Sequence, residues 1–381
     1  MSKWKGIGLG DVATFYNGYP FKPTDWSTSG KEIIRIQNLT KGSSQTNYFE
    51  GKLSNKYSVT KGDILISWSG SLGIYEWEKE DAWLNQHLFK VVFDKEEVDK
   101  SFFKYLISNS LEKLETQVHG ATMKHITKKN FDAFPVNLPP LPQQQKIANI
   151  LDAADALRLN DKALIAKYDK LTQALFLDMF GDPVSNPKGW EKVELGKVLD
   201  VRDGTHDSPK YKENGYPLVT SKNIKNGKLI LDDVNYISEE DYNKINLRSK
   251  VDIGDIIMPM IGTIGNPLLV DFEVNFAIKN VALFKFKDNS IITNKTLLNL
   301  LNGHFLERFS SLNNKGGTQK FVSLGDIRKM IVPIPPVQLQ NQFAERVAVI
   351  EEQKAIAQKS LEKSESLFNS LLQKAFKGEL V

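Results

Sequence analysis

The chain has 381 residues, of which 41% are hydrophobic, and its 50 Lys and Arg against 46 Asp and Glu give a net charge of +4. It is too long for one ordinary domain and apolar enough to bury two cores, and the absence of cysteine excludes disulfides, thiolate metal sites and cysteine nucleophiles. The five histidines lack a metal-ligand spacing with carboxylates, and no run of about 18 apolar residues predicts a membrane span, so we expect a cytoplasmic protein without a structural metal.

Each half of the chain opens with the same two predicted elements. Short amphipathic strands are predicted at residues 9–12 (LGDV) and 195–198 (LGKV). Extended apolar stretches that end in a polar turn follow at 32–40 and at 216–227. Equivalent openings predict equivalent folds in the two halves.

A Gly-Asp-Ile motif marks the next matching segments, GDILISWSGSLG at 62–73 and GDIIMPMIGTIG at 254–265. A Gly-Asp turn, a buried strand and a glycine-bounded turn predict a hairpin in each half. The elements predicted next are strands at 88–93 and 281–286 and helices at 102–117 and 295–311. Each half is therefore predicted to be a mostly β domain with at least one packed helix, an α+β fold.

The strongest internal repeat relates residues 120–180 to residues 316–376 at a constant offset of 196. Each copy is a loop, a short strand, a Pro-Pro break and a long helix with apolar residues at heptad spacing. A helix of about 38 residues spans on the order of 55 Å, and an apolar stripe of that length predicts an antiparallel pair of helices. The predicted seam residues are Ile147, Ile150, Ala154, Leu157, Leu164, Leu171 and Leu175 in the first helix, and Phe343, Val347, Ile350, Ala357, Leu361, Phe368 and Leu371 in the second.

These elements divide the chain into four predicted segments. Residues 1–142 and 183–338 are predicted to form two pseudo-repeated β-rich domains. Residues 143–182 and 339–381 are predicted to form the two long antiparallel coiled-coil helices that join them.

No catalytic constellation is repeated in the two halves. GIGLG at 6–10 has only five residues before it, too few for the strand that a dinucleotide-binding loop requires. KGGT at 315–318 lacks the ending of a phosphate-binding loop, and the E-x-K spacing at 352–354 lies within the heptad helix. We therefore predict no catalytic, cofactor-binding or metal-binding residues, and we interpret the chain as a binding protein.

Several further motifs recur in order along essentially the whole chain. They are LPPLPQQQKIANIL (138–151) with IPPVQLQNQFAERV (334–347), RDGTHDSPKY (202–211), the two GDI hairpins, KGGTQKFVSLGDI (315–327) and the ending LLQKAFKGEL. This arrangement resembles the DNA-specificity subunit of type I restriction-modification systems. The resemblance implies that each β domain is a target recognition domain that reads one half of a split DNA sequence. It also implies that the helices separate the halves and dock modification subunits.

The candidate DNA-binding residues are polar side chains in loops at equivalent positions of the two domains. Direct readout uses side chains in the major groove, with Arg and Lys favouring guanine and Asn and Gln favouring adenine. Asn38 and Asn223 share a register, whereas YNGYPFKPTDW (16–26) is only loosely similar to RDGTHDSPKY. The candidates in the first domain are Lys22, Arg35, Gln37, Asn38, Trp68, Ser69, Thr122, Lys124 and His125. The candidates in the second domain are Arg202, His206, Lys210, Ser221, Lys222, Asn223, Lys315, Gly317, Thr318, Gln319 and Lys320.

The resemblance also implies the partners of the chain. They are double-stranded DNA, two methyltransferase (modification) subunits and restriction ATPase subunits, and S-adenosylmethionine, ATP and magnesium would bind to those partners. Two other functions stay open from the residues alone: a two-headed adaptor that binds proteins or glycans through its β domains, and a self-sufficient modification enzyme. The missing catalytic motifs disfavour the enzyme.

Overall fold

The computed structural model describes residues 4–40, 45–117, 127–261, 265–287, 289–313 and 322–381. The chain separates into two units. The first unit comprises residues 1–162 together with 359–381, and the second unit comprises residues 163–358. Each unit therefore contains a β-rich domain and a part of each long helix.

The first unit is built from short strands and four short or medium helices. Its strands are β1 (Lys5–Gly8), β2 (Thr14–Asn17), β3 (Lys31–Ile34), β4 (Asn47–Phe49), β5 (Ser58–Val59), β6 (Ile64–Ser67), β7 (Gly73–Glu76), β8 (Ala82–Leu84), β9 (Leu88–Val92) and β10 (Pro135–Leu138). Its helices are α1 (Leu9–Val12), α2 (Ile36–Thr40), α3 (Lys100–Gln117) and α4 (Lys128–Asp132), and the long helix α5 (Leu141–Phe180) begins in this unit. The strand orders are β2-β9-β6-β7, β4-β3-β8-β5 and β1-β10.

The second unit repeats most of this plan. Its strands are β11 (Glu191–Glu194), β12 (Asp200–Asp203), β13 (Tyr216–Val219), β14 (Ile224–Lys225), β15 (Lys228–Leu229), β16 (Asn235–Ile237), β17 (Ile256–Pro259), β18 (Leu268–Leu269), β19 (Ala277–Ile278), β20 (Val281–Lys285) and β21 (Ile331–Ile334). Its helices are α6 (Leu195–Val198), α7 (Glu239–Ser249), α8 (Asn294–Leu301), α9 (His304–Asn313) and α10 (Leu324–Arg328), and the long helix α11 (Val337–Lys377) begins here. The strand orders are β12-β20-β17-β18, β16-β13-β19, β14-β15 and β11-β21.

The two units share one sheet topology. The order β2-β9-β6-β7 in the first unit matches β12-β20-β17-β18 in the second, and both sheets are antiparallel. The parallel pair β3 and β8 matches the parallel pair β13 and β19. The predicted fold class is confirmed: an α+β chain with two pseudo-repeated β-rich domains joined by two long helices.

The Gly-Asp-Ile motifs form the same turn in both units, which confirms the predicted hairpins. Asp63 Oδ2 accepts a hydrogen bond from the Thr60 amide at 2.8 Å, and Asp255 Oδ2 accepts one from the Asp252 amide at 2.7 Å. The glycine before each aspartate has a positive φ, 89° and 93°, which favours glycine. Strand β6 or β17 then begins and pairs with β7 or β18.

The strands predicted at residues 9–12 and 195–198 are wrong, because both segments are single helical turns, α1 and α6. Leu9 and Val12 are both buried, since a spacing of three residues places them on the same face of the turn. The first strand of each half lies just before this helical turn. Strand β1 pairs with β10, and strand β11 pairs with β21. The short apolar segment was too brief for its periodicity to separate strand from helix.

Two other predicted elements are divided in the structure. The helix predicted at 295–311 is α8 followed by α9, with Asn302 capping α8 and Gly303 separating the two. The extended stretch predicted at 32–40 is strand β3 followed by the short helix α2. In both cases a local break interrupts a segment whose apolar pattern continues across it.

The core of the first unit combines residues from three parts of the chain. Phe15 of β2 packs edge to face on Phe131 of α4, with 4.9 Å between the ring centroids. Helix α5 adds Leu151 to the same buried cluster, and α11 adds Phe368 and Ala375. The last residues of the chain are therefore part of the first unit's core.

A buried glutamine attaches each β-rich domain to its long helix. Gln144 Nε2 donates to the Pro139 and Glu97 carbonyl oxygens at 2.9 and 3.1 Å, and its Oε1 accepts from the Asp99 amide at 2.9 Å. Gln340 repeats the pattern with the carbonyl oxygens of Pro335 and Ile291 at 2.7 and 2.8 Å, and with the Thr293 amide at 2.8 Å. The two glutamines are 1% and 0% exposed. Each one joins the start of a long helix to the start of a domain helix, α3 or α8.

The long helices pack antiparallel within each unit. In the first unit the Arg158 guanidinium lies 4.5 Å from the Phe368 ring centroid, and Asp161 Oδ2 accepts from Ser364 Oγ at 2.9 Å. As the residue numbers increase along α5, the numbers of the contacting residues on α11 decrease, so the two helices run in opposite directions. In the second unit Asp169 pairs with Lys354, and further along α5 the Phe180 ring packs on Phe343, 5.0 Å between centroids.

Most predicted seam residues lie on the packed faces of these helices. The buried or half-buried ones are Ile147, Ile150, Ala154, Leu175, Phe343, Val347, Ile350, Ala357, Leu361, Phe368 and Leu371. Leu157, Leu164 and Leu171 are instead 53%, 40% and 49% exposed, which corrects their assignment to the seam. The packed position next to Leu157 belongs to Arg158, one residue or about 100° further around the helix. A charged side chain stacked on an aromatic ring thus occupies a place that the apolar pattern gave to leucine.

Candidate nucleic-acid interface

A loop follows strand β2 of the first unit and strand β12 of the second, and each loop starts with a glycine that has no room for a side chain. A Cβ atom on Gly18 would lie 2.2 Å from a backbone carbonyl oxygen, and one on Gly204 would lie 2.3 Å from another. The next residue, Tyr19 or Thr205, then forms an isolated parallel bridge with the segment after β8 or β19. The two motifs that are only loosely similar in sequence therefore occupy equivalent positions.

In the second unit, the aspartate before this glycine is the centre of an ion-pair network. The Asp203 side chain is 6% exposed, and one of its oxygens pairs with the Arg248 guanidinium. The other oxygen lies 2.7 Å from His206 Nε2. His206 Nδ1 lies 2.7 Å from Asn280 Oδ1. The side chains of His206 and Arg248 are 63% and 62% exposed, so the network holds two polar side chains at the surface.

Arg202 pairs with a different carboxylate. Its Nε and one terminal nitrogen donate to Asp200 Oδ2 at 2.9 and 2.6 Å, and the other terminal nitrogen donates to the Arg248 carbonyl oxygen at 3.0 Å. The hydrogen bonds from Arg202 hold the pKa of Asp200 below its usual value and raise the pKa of the guanidinium. The charge of this predicted DNA-binding residue is therefore largely balanced by Asp200.

A cavity of about 290 Å³ lies beside this network, between the loop after β12 and helix α7. Its lining includes Ser208, Lys244 and Arg248 as donors, and the carboxylates of Asp207 and Asp241 as acceptors. The cavity therefore presents both hydrogen-bonding polarities.

The first unit has a cavity of about 390 Å³ at the end of β2. Asn17, Lys56, Tyr57 and Lys128 are among the residues that line it. In this unit the stretch between β4 and β5 contains only a 3-10 turn, Asn55–Tyr57, where the second unit has α7 between β16 and β17. Matching scaffolds thus carry cavities with different linings.

The equivalent register of Asn38 and Asn223 is confirmed, with a structural role. Asn38 Oδ1 accepts from the Arg35 amide at 3.0 Å, and Asn223 Oδ1 accepts from the Thr220 amide at 3.0 Å. Asn223 is 5% exposed and its Nδ2 donates to the Ile230 carbonyl oxygen at 3.1 Å. Its side chain stabilises the turn from inside and is not presented at the surface, which corrects its prediction as a DNA contact.

Two predicted residues of the first unit pack against aromatic rings. The Arg35 guanidinium lies 5.3 Å from the ring centroid of Trp26, which is 45% exposed, and donates to the Gln45 carbonyl oxygen at 2.9 Å. Trp68 stacks on Phe89 with 5.6 Å between centroids and packs against the core of the unit. Trp68 therefore contributes to packing, whereas Arg35 and Trp26 form a cationic and aromatic surface.

The predicted DNA-binding residues differ in their exposure. Those with exposed side chains are Lys22, Gln37, His206, Lys210 and Lys222, and those that are half-buried are Arg35, Asn38, Trp68, Ser69, Arg202 and Ser221. Eight candidates lie outside the described residues: Thr122, Lys124, His125, Lys315, Gly317, Thr318, Gln319 and Lys320. The structure brings Arg202 and His206 into one network through Arg248 and Asp203.

Arg248 and Asp203 are the functional candidates that the sequence analysis missed. Asp203 lies inside the RDGTHDSPKY motif, so the sequence alone could have identified it as a candidate. Arg248 lies in the last turn of α7, in a polar helix without a recognisable motif. Only the fold brings these residues together.

The residues that the structure describes contain no group of three or more acidic or histidine side chains that could hold a metal ion. Among the same residues, no helix has both the length and the apolar content needed to cross a membrane.

Comparisons with known proteins agree with this architecture. The family model of the type I restriction modification DNA specificity domain matches residues 1–167 and 187–365. The chain is 25% identical to the type I restriction enzyme EcoBI specificity subunit of Escherichia coli over 415 aligned positions, which cover 99% of this chain and 86% of the relative.

Two solved structures share the fold. The type I restriction-modification system S subunit from M. genitalium aligns with a TM-score of 0.56 and 17% identity, over 98% of this chain and 96% of the other. A chain from a structure concerned with complex assembly and conformational transition of the type I R-M system aligns with a TM-score of 0.55 and 18% identity, over 99% and 98% of the two chains. The two matches to the family model together cover most of the chain, and the chain therefore belongs to the type I restriction-modification DNA specificity family.

Proposed function

We propose that this chain is the noncatalytic subunit that recognises DNA sequence in a type I restriction-modification complex. Each unit reads one half-site of an asymmetric, interrupted target. The observation that carries this proposal is the repeated scaffold with unlike loops: the same sheets, GDI turns and close-approach glycines support Asn17-Gly18-Tyr19 in one unit and Asp203-Gly204-Thr205 in the other. Two domains that share a scaffold but differ in their loop side chains would recognise two different half-sites.

The surface chemistry of both loop regions supports duplex DNA as the ligand. Lysines line the cavity of the first unit, and exposed Lys244 and Arg248 line the cavity of the second. Cations and backbone amides position a protein on phosphates, while side chains that reach the major groove discriminate bases. The mixture of donors and acceptors in the second cavity suits base edges, which present both.

The proposed protein partners are two methyltransferase subunits and restriction ATPase subunits, bound through the helices. The repeated sequence of the long helices supplies two similar surfaces, as two copies of one partner require. S-adenosylmethionine, ATP and magnesium would bind to those subunits, where methyl transfer and cleavage would occur. The assembled complex would act in the cytoplasm. The fold shared with a chain of a type I R-M assembly supports this proposal.

A selection from random DNA duplexes tests the recognition role. The chain, purified with its methyltransferase partner, should enrich duplexes that carry two unlike motifs separated by a fixed number of unspecified bases. Its affinity should fall steeply with salt, because phosphate contacts release counterions. The methyltransferase partner alone serves as the control and should enrich nothing.

Three outcomes would contradict the proposal. If the complex enriched no sequence, the recognition role would be wrong. Binding to a protein or glycan that is insensitive to salt would favour the adaptor. Methyl transfer by this chain alone would favour the self-sufficient enzyme.

A further inference from the structure

We infer that Arg248 reads a guanine in the half-site of the second unit, and that Asp203 is the positioning residue that holds its guanidinium. This inference rests on the proposed function and assigns part of the sequence preference to one side chain. Arginine is the side chain that most often recognises guanine, because its planar fork of donors matches O6 and N7 in the major groove.

The burial of Asp203 is the first observation behind this assignment. A buried carboxylate is costly unless its oxygens are paired, and here both are, with Arg248 and His206. Both partners are nevertheless mostly exposed, so the pairing does little to bury them. The arrangement instead restricts the motion of two surface side chains, and a restrained donor such as Arg248 binds a base edge at a lower entropic cost.

The hydrogen-bonding capacity of Arg248 is the second observation. A guanidinium carries five N–H donors, and the bond to Asp203 uses one terminal nitrogen. Within the described part of the chain, the structure gives the Arg248 guanidinium no other acceptor. Its side chain also lines the cavity beside the loop, where a ligand could accept the remaining hydrogen bonds.

The composition of the cavity favours a base pair over a phosphate. Asp207 and Asp241 line the cavity together with Lys244 and Arg248, so two carboxylates balance two cations and the cavity has no excess of positive charge to attract a phosphate. A G·C pair offers guanine acceptors and the cytosine N4 donor side by side in the major groove. A guanidinium with a neighbouring carboxylate complements both halves of that pair.

The first unit lacks this arrangement. Asn17 precedes Gly18 where Asp203 precedes Gly204, and an amide provides no charge to hold a guanidinium. The helix that carries Arg248 also has no counterpart in the described stretch between β4 and β5. The network therefore gives the second unit a base preference that the first unit does not share.

Arg248 also lies in the last turn of α7, where the helix dipole favours any cation. Arg248→Lys separates this role from base reading, because lysine keeps the charge but not the fork. Arg308→Ala, which removes an exposed arginine from α9 of the same unit, is the matched control for loss of one positive charge.

The experiment uses the complex of this chain with its methyltransferase partner and the random-duplex selection. We expect Arg248→Ala to reduce the preference at one G·C position by roughly 10- to 100-fold, and Arg248→Lys to reduce it by a smaller factor because lysine contacts guanine without the fork. Arg248→Lys should keep the affinity for duplexes that lack this G·C pair and the salt dependence of binding, and Arg308→Ala should keep the preference at every position. Asp203→Asn should weaken the preference at the same position by a smaller factor.

Thermal unfolding of each variant complex shows whether the fold is intact, and the exposure of Arg248 leads us to expect that it is. An unchanged preference in Arg248→Ala would overturn the inference. A uniform loss of affinity for all duplexes, restored by lysine, would also overturn it by indicating a phosphate contact. If the unmodified complex itself shows no preference, the proposed function fails and not only this assignment.

Discussion

Arg202 and Arg248 show why the surroundings of a cation matter more than its presence in a motif. Arg202 lies in the motif that resembles the known family, yet Asp200 balances its charge. Arg248 lies outside every motif, yet a buried carboxylate holds it at the surface. The sequence could identify the loop and its polar residues. It could not identify Arg248, because the contact joins residues 45 positions apart.

Removal of the carboxylate beside Arg202 should strengthen DNA binding. Asp200→Asn leaves the guanidinium without its counter-charge, so we expect a severalfold higher affinity for all duplexes. The slope of log affinity against log salt should become steeper by at most about one counterion. Titrations of one duplex at several salt concentrations would measure both effects.

Asp232→Asn is the control for this charge change, because Asp232 is an exposed residue of the same unit. It alters the net charge equally, and we expect it to have the smaller effect. Equal effects of the two substitutions would show that Arg202 does not contact DNA.

The Lys285 amino group stabilises the second GDI turn in a way that depends on pH. It donates to Asp252 at 2.8 Å and to Asp255 at 2.6 Å. The hydrogen bond from Lys285, with a further one from Lys250, holds the pKa of Asp252 below its ordinary value. A carboxyl whose pKa is lower in the folded state stabilises the fold above its unfolded pKa, and this contribution is lost as pH falls through the folded value.

Asp252→Asn should therefore lower the free energy of unfolding at neutral pH by less than about 1 kcal/mol, since the carboxylate is half exposed. The difference from the unmodified chain should shrink progressively below about pH 4. Urea unfolding of both chains across this range measures it. A difference that persisted unchanged in acid would contradict the ion-pair explanation.

The secondary-structure elements were predictable where their signals were long. The heptad pattern predicted both long helices, and the GDI motif predicted both hairpins. The assignments failed where packing decides the outcome, as at Leu157, because Arg158 covers an aromatic ring with its guanidinium and takes the packed position. They also failed in segments of four residues, such as 9–12, because so short an apolar pattern does not distinguish one helical turn from a strand.

The corrected seam can be tested with two leucines of the same helix. Leu151 is fully buried, so Leu151→Ala should lower the free energy of unfolding by about 2 to 5 kcal/mol. Leu157 is 53% exposed, so Leu157→Ala should change it by no more than about 0.5 kcal/mol. Both are measured by denaturant unfolding. Comparable losses would mean that the heptad assignment, and not the observed packing, is correct.

The buried glutamines should also be important for stability. Gln144→Leu leaves two carbonyl oxygens and one amide without their partner, at a cost of about 1 to 3 kcal/mol for each unsatisfied group. We expect a large decrease in the free energy of unfolding, and a similar one for Gln340→Leu. The exposed neighbours provide the controls, Gln145→Leu and Gln342→Leu, which should be nearly neutral.

At the scale of the whole molecule, the duplication was predictable from the constant offset between the two copies. What could not be predicted is how the chain is shared between the units. Residues 359–381 belong to the first unit, although they are the most distant from its domain along the chain. This assignment depends on contacts of Phe368 and Ala375 that periodicity alone does not reveal.

An exchange of one domain tests the division of labour between the units. Replacement of residues 1–142 by the corresponding domain of another family member should change one half of the methylated target and leave the other half unchanged. Sequencing of methylated sites in cells that carry the hybrid would show the outcome. A change in both halves would contradict independent reading by each unit.

The place of the C-terminal segment also determines the order in which the protein can mature during translation. At about 5 to 20 residues per second, a ribosome needs on the order of ten seconds or more to pass from the end of the first stretch of the first unit to its second. Throughout that interval the core of the nascent N-terminal domain lacks the contacts that Phe368 and Ala375 later provide. The first domain to be made is thus completed only after the second has been synthesised, and truncation of the chain before residue 359 would remove part of the first unit's core.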